Sequence, residues 1–162
     1  MALLVEDGTG VVGAESYVSV LDFQTWASKR SYLLPAAEAN VESLLRKGCD
    51  FIERKRFSGT AEFTDQPLSF PRLNTDFYGT AISTGIPGKL KTAQMLLAME
   101  SMNAPLTSAA RRNKYSATKI DQIYLKYNDA SEGAGDLYFP AIEDLLADWL
   151  ANGGAVIRTV RA

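Results

Sequence analysis

The chain has 162 residues, a hydrophobic share of 46% and a formal net charge of −2. Those values suit one globular domain with appendages and exclude a disordered chain. The acidic balance argues against a dedicated nucleic-acid binder, whose footprint is usually basic.

Residues 1–18 read as an extended leader. Gly8, Gly10 and Gly13 punctuate a short polar run, so it is no single regular element. Ser19 begins the first helix, with Asp22 three residues on as a near-capping-box. Leu21, Phe23 and Trp26 give that helix its bulk, and Lys29-Arg30 suits its carboxyl end. Ser31 to Pro35 is a break. The second helix is expected from Ala36 to about Phe57. Val41, Leu44, Leu45, Gly48, Cys49 and Ile52 follow the helical period there. Glu38 and Glu42 near its start and Arg54-Lys55-Arg56 at its end agree with the helix dipole.

Residues 58–86 lose the helical period and read as an irregular interaction loop. Leu68-Ser69-Phe70-Pro71 is at most a short extended piece. Pro87 opens a third helix, with Leu90, Ala93, Gln94, Leu97 and Ser101 on one stripe. Leu96, Met99 and Met102 widen that stripe and make the helix central. A β-hairpin is expected at about 115–127, turning at Asp121-Gln122. Pro140 opens the last helix, which buries Ile142, Leu145, Leu146, Trp149 and Leu150 and stops at Asn152-Gly153-Gly154. The domain thus spans 19–152, and 153–162 is a carboxyl-terminal arm. The expected fold is mainly α: a domain of four principal helices with a small β-hairpin and extended terminal arms.

The residue inventory is poor in chemistry. Histidine is absent, which excludes serine–histidine and cysteine–histidine nucleophile pairs and histidine-bound metals. Cys49 stands alone, which excludes an intrachain disulfide and fits a reducing interior. No apolar run approaches the roughly 18–20 residues of a membrane span, and the N-terminus lacks the pattern of a signal peptide. The expectation is no enzyme, no cofactor, no bound metal and no membrane partner.

Several stretches invite sharper readings. Glu6-Asp7-Gly8-Thr9-Gly10 lacks the ligand register of a calcium loop and reads as a turn with exposed acids. Gly8 to Gly13 fits G-x-G-x-x-G, but no βαβ pattern surrounds it, so the dinucleotide reading fails. Arg111, Arg112, Lys114 and Tyr115 join basic side chains to an aromatic, as a strand of nucleic acid would require. A solvated loop edge, or salt bridges to a neighbouring subunit, is the plainer reading. Glu143, Asp144 and Asp148 read as a solvated acidic face, or as a lining along which DNA slides without sticking. The tail Val156-Ile157-Arg158-Thr159-Val160-Arg161 is either a frayed end or an arm that adds a strand to a partner's sheet.

The pattern V-E-D-G-T-G-V…S-Y-V-S from Val5 to Ser19 resembles small head–tail connector (adaptor) proteins of tailed bacteriophages. Related sequences are often labelled DnaT-like single-stranded-DNA-binding proteins. Leu68-Ser69-Phe70-Pro71-Arg72 is similar to that family's L-x-W/F-P-R segment. Ile86-Pro87 with Lys91 and Ala93-Gln94 is similar to its I-P-x-x-V-K-x-A helix. Tyr138 to Leu146, Gly153-Gly154 and Arg161-Ala162 resemble its last helix and tail.

The resemblance implies a structural virion protein in the neck between capsid and tail, assembled in the host cytoplasm. It implies a homo-oligomeric ring of about twelve copies under the portal protein, with a tail or stopper component beyond and double-stranded DNA passing through. Val156, Ile157, Arg158, Thr159, Val160 and Arg161 would dock on the portal. Arg111, Arg112, Lys114 and Tyr115 would touch neighbouring subunits or DNA. The alternative is a single-stranded-DNA-binding replication accessory protein. An enzyme working with carboxylates alone ranks last.

Overall fold

The computed structural model describes residues 2–75, 81–106, 117–120, 123–126 and 139–151. Among them the chain is mainly helical, with four helices and small antiparallel sheets. Helix α1 (Val20–Ser28) starts where its cap predicts. Ser19 Oγ accepts from the Asp22 N–H at 3.1 Å and donates to the Asp22 carboxylate at 2.8 Å. One orphan donor of the first turn is thereby satisfied.

Helix α2 (Glu38–Glu53) buries Val41, Leu44, Leu45, Gly48, Cys49, Phe51 and Ile52, the face that the period marks plus Phe51. It ends four residues before the expected Phe57 because the chain beyond pairs with a distant segment. Phe57 bridges Leu150, Ser58 N–H donates to Trp149 O at 2.8 Å, and Ala151 N–H donates to Arg56 O at 2.9 Å. Those backbone pairings replace further helical bonds.

Residues 58–75 and 81–86 are more regular than their period suggests. Strands β1 (Thr60–Ala61), β2 (Arg72–Thr75) and β3 (Ala81–Ser83) form one antiparallel sheet in the order β1-β2-β3. Strands of two to four residues are too short to show alternation in sequence. Strands β4 (Ala117–Ile120) and β5 (Ile123–Lys126) form the expected hairpin, with Ile120 opposite Ile123.

Helix α3 (Gly88–Asn103) follows Pro87 and is the central element, packed on α2 and on α4 (Pro140–Leu146). Gly48 permits the α2–α3 approach. A Cβ there would stand 2.8 Å from Gln94 O and 3.2 Å from Ala98 N. Helix α4 carries its proline in the first turn and buries Ile142 and Leu146, with Trp149 and Leu150 following in a turn. The core is one continuous cluster around Tyr17, Phe23, Leu45, Ile52, Phe70, Leu90, Leu97 and Leu146. Two expected core contributors fall outside it. Leu21 and Met102 are exposed, because each lies off the buried face of its helix.

The leader is not simply extended. It doubles back on itself, with Glu6 N–H donating to Ser16 O at 2.8 Å and Glu15 N–H to Leu4 O at 2.9 Å. The arm at 153–162 lies outside the described residues, but the last helix ends at Leu146, short of the expected stop at Asn152, because the chain beyond turns to pair Leu150 with Phe57.

Candidate functional site

The glycines of the leader build a closed turn around a carboxylate of the same turn. Glu6 is fully buried, not exposed as the loop composition suggests. Its Oε1 accepts from Gly8 N–H at 2.8 Å and Gly10 N–H at 2.9 Å, and its Oε2 accepts from Val11 N–H at 2.8 Å. Gly8, Gly10 and Gly13 have φ of 105°, 75° and 76°, a region that favours glycine. Backbone N–H groups gathered this way make an anion site. Here Glu6 fills it, which is a physical reason for the failure of the dinucleotide reading. Asp7 does stay in solvent, and bonds from the Thr9 hydroxyl and N–H hold its carboxyl below the usual range.

The S-Y-V-S stretch locks this turn onto the helices. Gln94, fully buried on α3, donates from Nε2 to Ser16 Oγ at 2.7 Å and Leu45 O at 2.9 Å. Its Oε1 accepts from Tyr17 N–H at 3.0 Å. The Tyr17 hydroxyl donates to Glu53 Oε1 at 2.5 Å, and Glu53 Oε2 accepts from Ser69 N–H and Oγ at 2.8 and 2.7 Å. Each of these side-chain polar groups has a partner, so the network fixes one arrangement of leader, α2, α3 and the Leu68–Arg72 segment.

That segment is structural too. Phe70 is fully buried, with edge-on ring contacts to Tyr17, Phe57 and Trp149. Arg72 donates to the carbonyls of Phe57, Ser58, Gly59 and Ser69 at 2.6–3.2 Å. Its guanidinium fork is therefore occupied by backbone oxygens.

The acidic face is largely paired. Glu143 pairs with Lys55, and Asp148 with Lys89 at 2.6 Å; Asp144 remains exposed. A continuous lining of unpaired acids does not form from these three. Arg111, Arg112, Lys114 and Tyr115 lie outside the described residues, as do Val156, Ile157, Arg158, Thr159, Val160 and Arg161.

Two surface features escaped the reading of the sequence. At the end of α1, Ser31 takes a φ of 57° and Tyr32 N–H donates to Ala27 O at 3.0 Å. This left-handed turn lays Tyr32 against Trp26, with ring centroids 5.5 Å apart. Arg30 sits over the Trp26 ring at 4.4 Å, beside exposed Lys29. The available signal was Trp26 and Arg30 at i, i+4, which share a helical face. The second feature is a cleft of about 360 Å³ between the ends of α2 and α3, with Lys47 and Arg54 on its walls and Phe51, Met102 and Leu106 lining it. Its two halves lie some fifty residues apart in the chain, so no local pattern announces it.

Among the described residues no three carboxylate or thiol side chains converge as a metal site, and no helix is long and apolar enough to cross a membrane. The family model described as "Putative DnaT-like ssDNA binding protein" matches residues 1–162. The chain belongs to this DnaT-like family. Neither the curated proteins nor the solved structures hold a significant match. The DnaT-like description names single-stranded DNA and does not name a connector.

Proposed function

We propose that the protein is a structural virion component: a ring-forming head–tail connector that docks on the portal and links it to the tail. DNA would pass through its lumen. The adaptor-type bundle, the arm at 153–162 and the portal contact through Val156, Ile157 and Val160 belong to this reading. The observation that carries it is where the diagnostic stretches go. Glu6, Ser16, Tyr17, Gln94 and Arg72 all take intramolecular partners, which leaves no reacting group among them. At the tip of the locked leader turn, Val12 stands 82% exposed. A single exposed aliphatic side chain is ordinary by itself, and in this reading Val12 is one of several modest contact points. Repeated around a ring, modest contacts multiply into firm attachment. Replacing Val156, Ile157 and Val160 by aspartate tests the reading. The domain should stay folded and portal attachment should be lost; unchanged attachment in particle assembly would sink it.

The family description and the Lys29, Arg30 and Tyr32 surface favour a second reading, single-stranded-DNA binding. A cation beside a half-exposed aromatic ring is the pair that such binders use. This reading expects a salt-sensitive gel shift, weakened about tenfold by Tyr32→Ala through loss of one stacked base. The connector reading expects no such shift.

A further inference from the structure

The leader turn and the α2–α3 cleft match each other in charge and in polarity. The turn carries exposed Asp7 and exposed Val12 and is held by the bonds to Glu6. The cleft presents Lys47 and Arg54 around a floor of Phe51, Met102 and Leu106, with Asp50 the one acid among its walls. Neither Lys47 nor Arg54 makes an ion pair among the described residues. Met102 is 41% exposed there, an apolar side chain open to solvent among the described residues.

One copy cannot satisfy itself. Gly8 lies against Ile86, just before the start of α3, where a Cβ on it would stand 4.0 Å from the Ile86 side chain. The cleft lies at the far end of the same helix, from Ser101 onward. At 1.5 Å per residue those ends are about 20 Å apart. The turn and the cleft therefore sit at opposite ends of α3, one acidic and apolar, the other basic and apolar.

We propose that the leader turn of one copy docks in the α2–α3 cleft of the next, with Val12 on the Phe51–Met102 floor and Asp7 facing Lys47 and Arg54. Such a contact joins two different surfaces. Repetition of it generates a ring or an open filament, whereas a reciprocal exchange of the same contact would close a two-fold dimer. The inference rests on the ring reading and names the surfaces that build the ring. The charges choose the partner and register, and the apolar tip supplies the desolvated centre.

The test mixes two full-length variants, Val12→Cys and Met102→Cys, under mild oxidation. Buried Cys49 does not compete. The expected result is a mixed disulfide dimer in excess of either homodimer. Lys47→Glu with Arg54→Glu in the second partner should cut its yield about fivefold, as for surface ion pairs. Asp7→Lys in the first partner should restore it. A yield no higher than with cysteine at exposed Ser28, or one indifferent to the charge reversals, overturns the proposal. So does protection of the Met102→Cys thiol by a single-stranded oligonucleotide that also abolishes the crosslink, which would assign the cleft to nucleic acid. Multimers by mass without the mixed disulfide would leave the ring reading standing and remove this contact. A chain that stays monomeric with portal present would remove both.

Discussion

Tyr17 and Glu53, 36 positions apart, share a hydrogen bond of 2.5 Å, and the same hydroxyl accepts from the Phe70 N–H at 3.1 Å. Leader, end of α2 and the Leu68–Arg72 segment meet at that oxygen. Tyr17→Phe removes one bond to a carboxylate and leaves the Phe70 N–H unsatisfied. The expected loss is about 2–3 kcal/mol in urea denaturation. Glu53 keeps its two bonds from Ser69, so the variant should still fold.

The same hydroxyl sets an alkaline limit. Burial, and then the nearby Glu53 charge, push the Tyr17 pKa well above its ordinary value of 10.0. A raised pKa means that the folded state holds the proton more tightly than the unfolded chain. Stability from this source is complete below about pH 10 and falls as pH rises beyond it. Cys49, raised by burial from 9.0, acts in the same direction from about pH 9. Denaturation midpoints from pH 8 to 11 should fall for the native chain and fall less for Tyr17→Phe. Thiol reagents should modify Cys49 only at the rate of unfolding.

Glu6→Ala removes the only side-chain acceptor that the Gly8, Gly10 and Val11 N–H groups have among the described residues. A loss of about 3 kcal/mol is expected, with faster hydrogen exchange confined at first to residues 6–13. Glu6→Gln retains one carbonyl oxygen for Gly8 and Gly10 and should cost about half as much. Equal losses for the two variants would contradict the geometry.

How much of this was legible in the sequence depends on the distance between partners. Ser19 with Asp22, Pro87, Pro140 and the pairing of 117–120 with 123–126 could be read because each is a contact within a few positions. The buried face of α2 could be read because its period is strong. The burial of Glu6 could not. Composition shows glycines and acids, and does not show that Phe63 and Ile86, more than fifty positions on, come up against Gly10 and Gly8 of the turn. The early end of α2 was likewise hidden, because its cause is pairing of Phe57 with Leu150. The paired state of Glu143 and Asp148 depends on Lys55 and Lys89, 88 and 59 positions away.

Gly59 and Gly48 should tolerate substitution unequally. At Gly59 a Cβ would stand 2.2 Å from Asn74 Oδ1 and 2.4 Å from Leu73 O, at a φ of 76°. At Gly48 the nearest approach is 2.8 Å and φ carries no penalty. Gly48→Ala should cost about 1–3 kcal/mol by prising α2 from α3. Gly59→Ala should cost more, since left-handed strain of about 1–2 kcal/mol adds to the clash. Thermal midpoints of the two variants check the order.

Ser31 offers the opposite case. It holds a φ of 57° just after α1 without being glycine. Ser31→Gly relieves that strain and should raise stability by a few tenths to about 1 kcal/mol, after the entropy cost of glycine. Tyr32 should stay against Trp26, which near-ultraviolet circular dichroism would report as an unchanged aromatic spectrum.

The mass of the purified chain, measured alone and mixed with portal protein, tests the central claim most directly. A ring-forming connector joins portal as a multi-copy assembly, and loses it when Val156, Ile157 and Val160 become aspartate. A chain that stays monomeric beside portal, while shifting single-stranded oligonucleotides in a salt-sensitive way, would contradict the account.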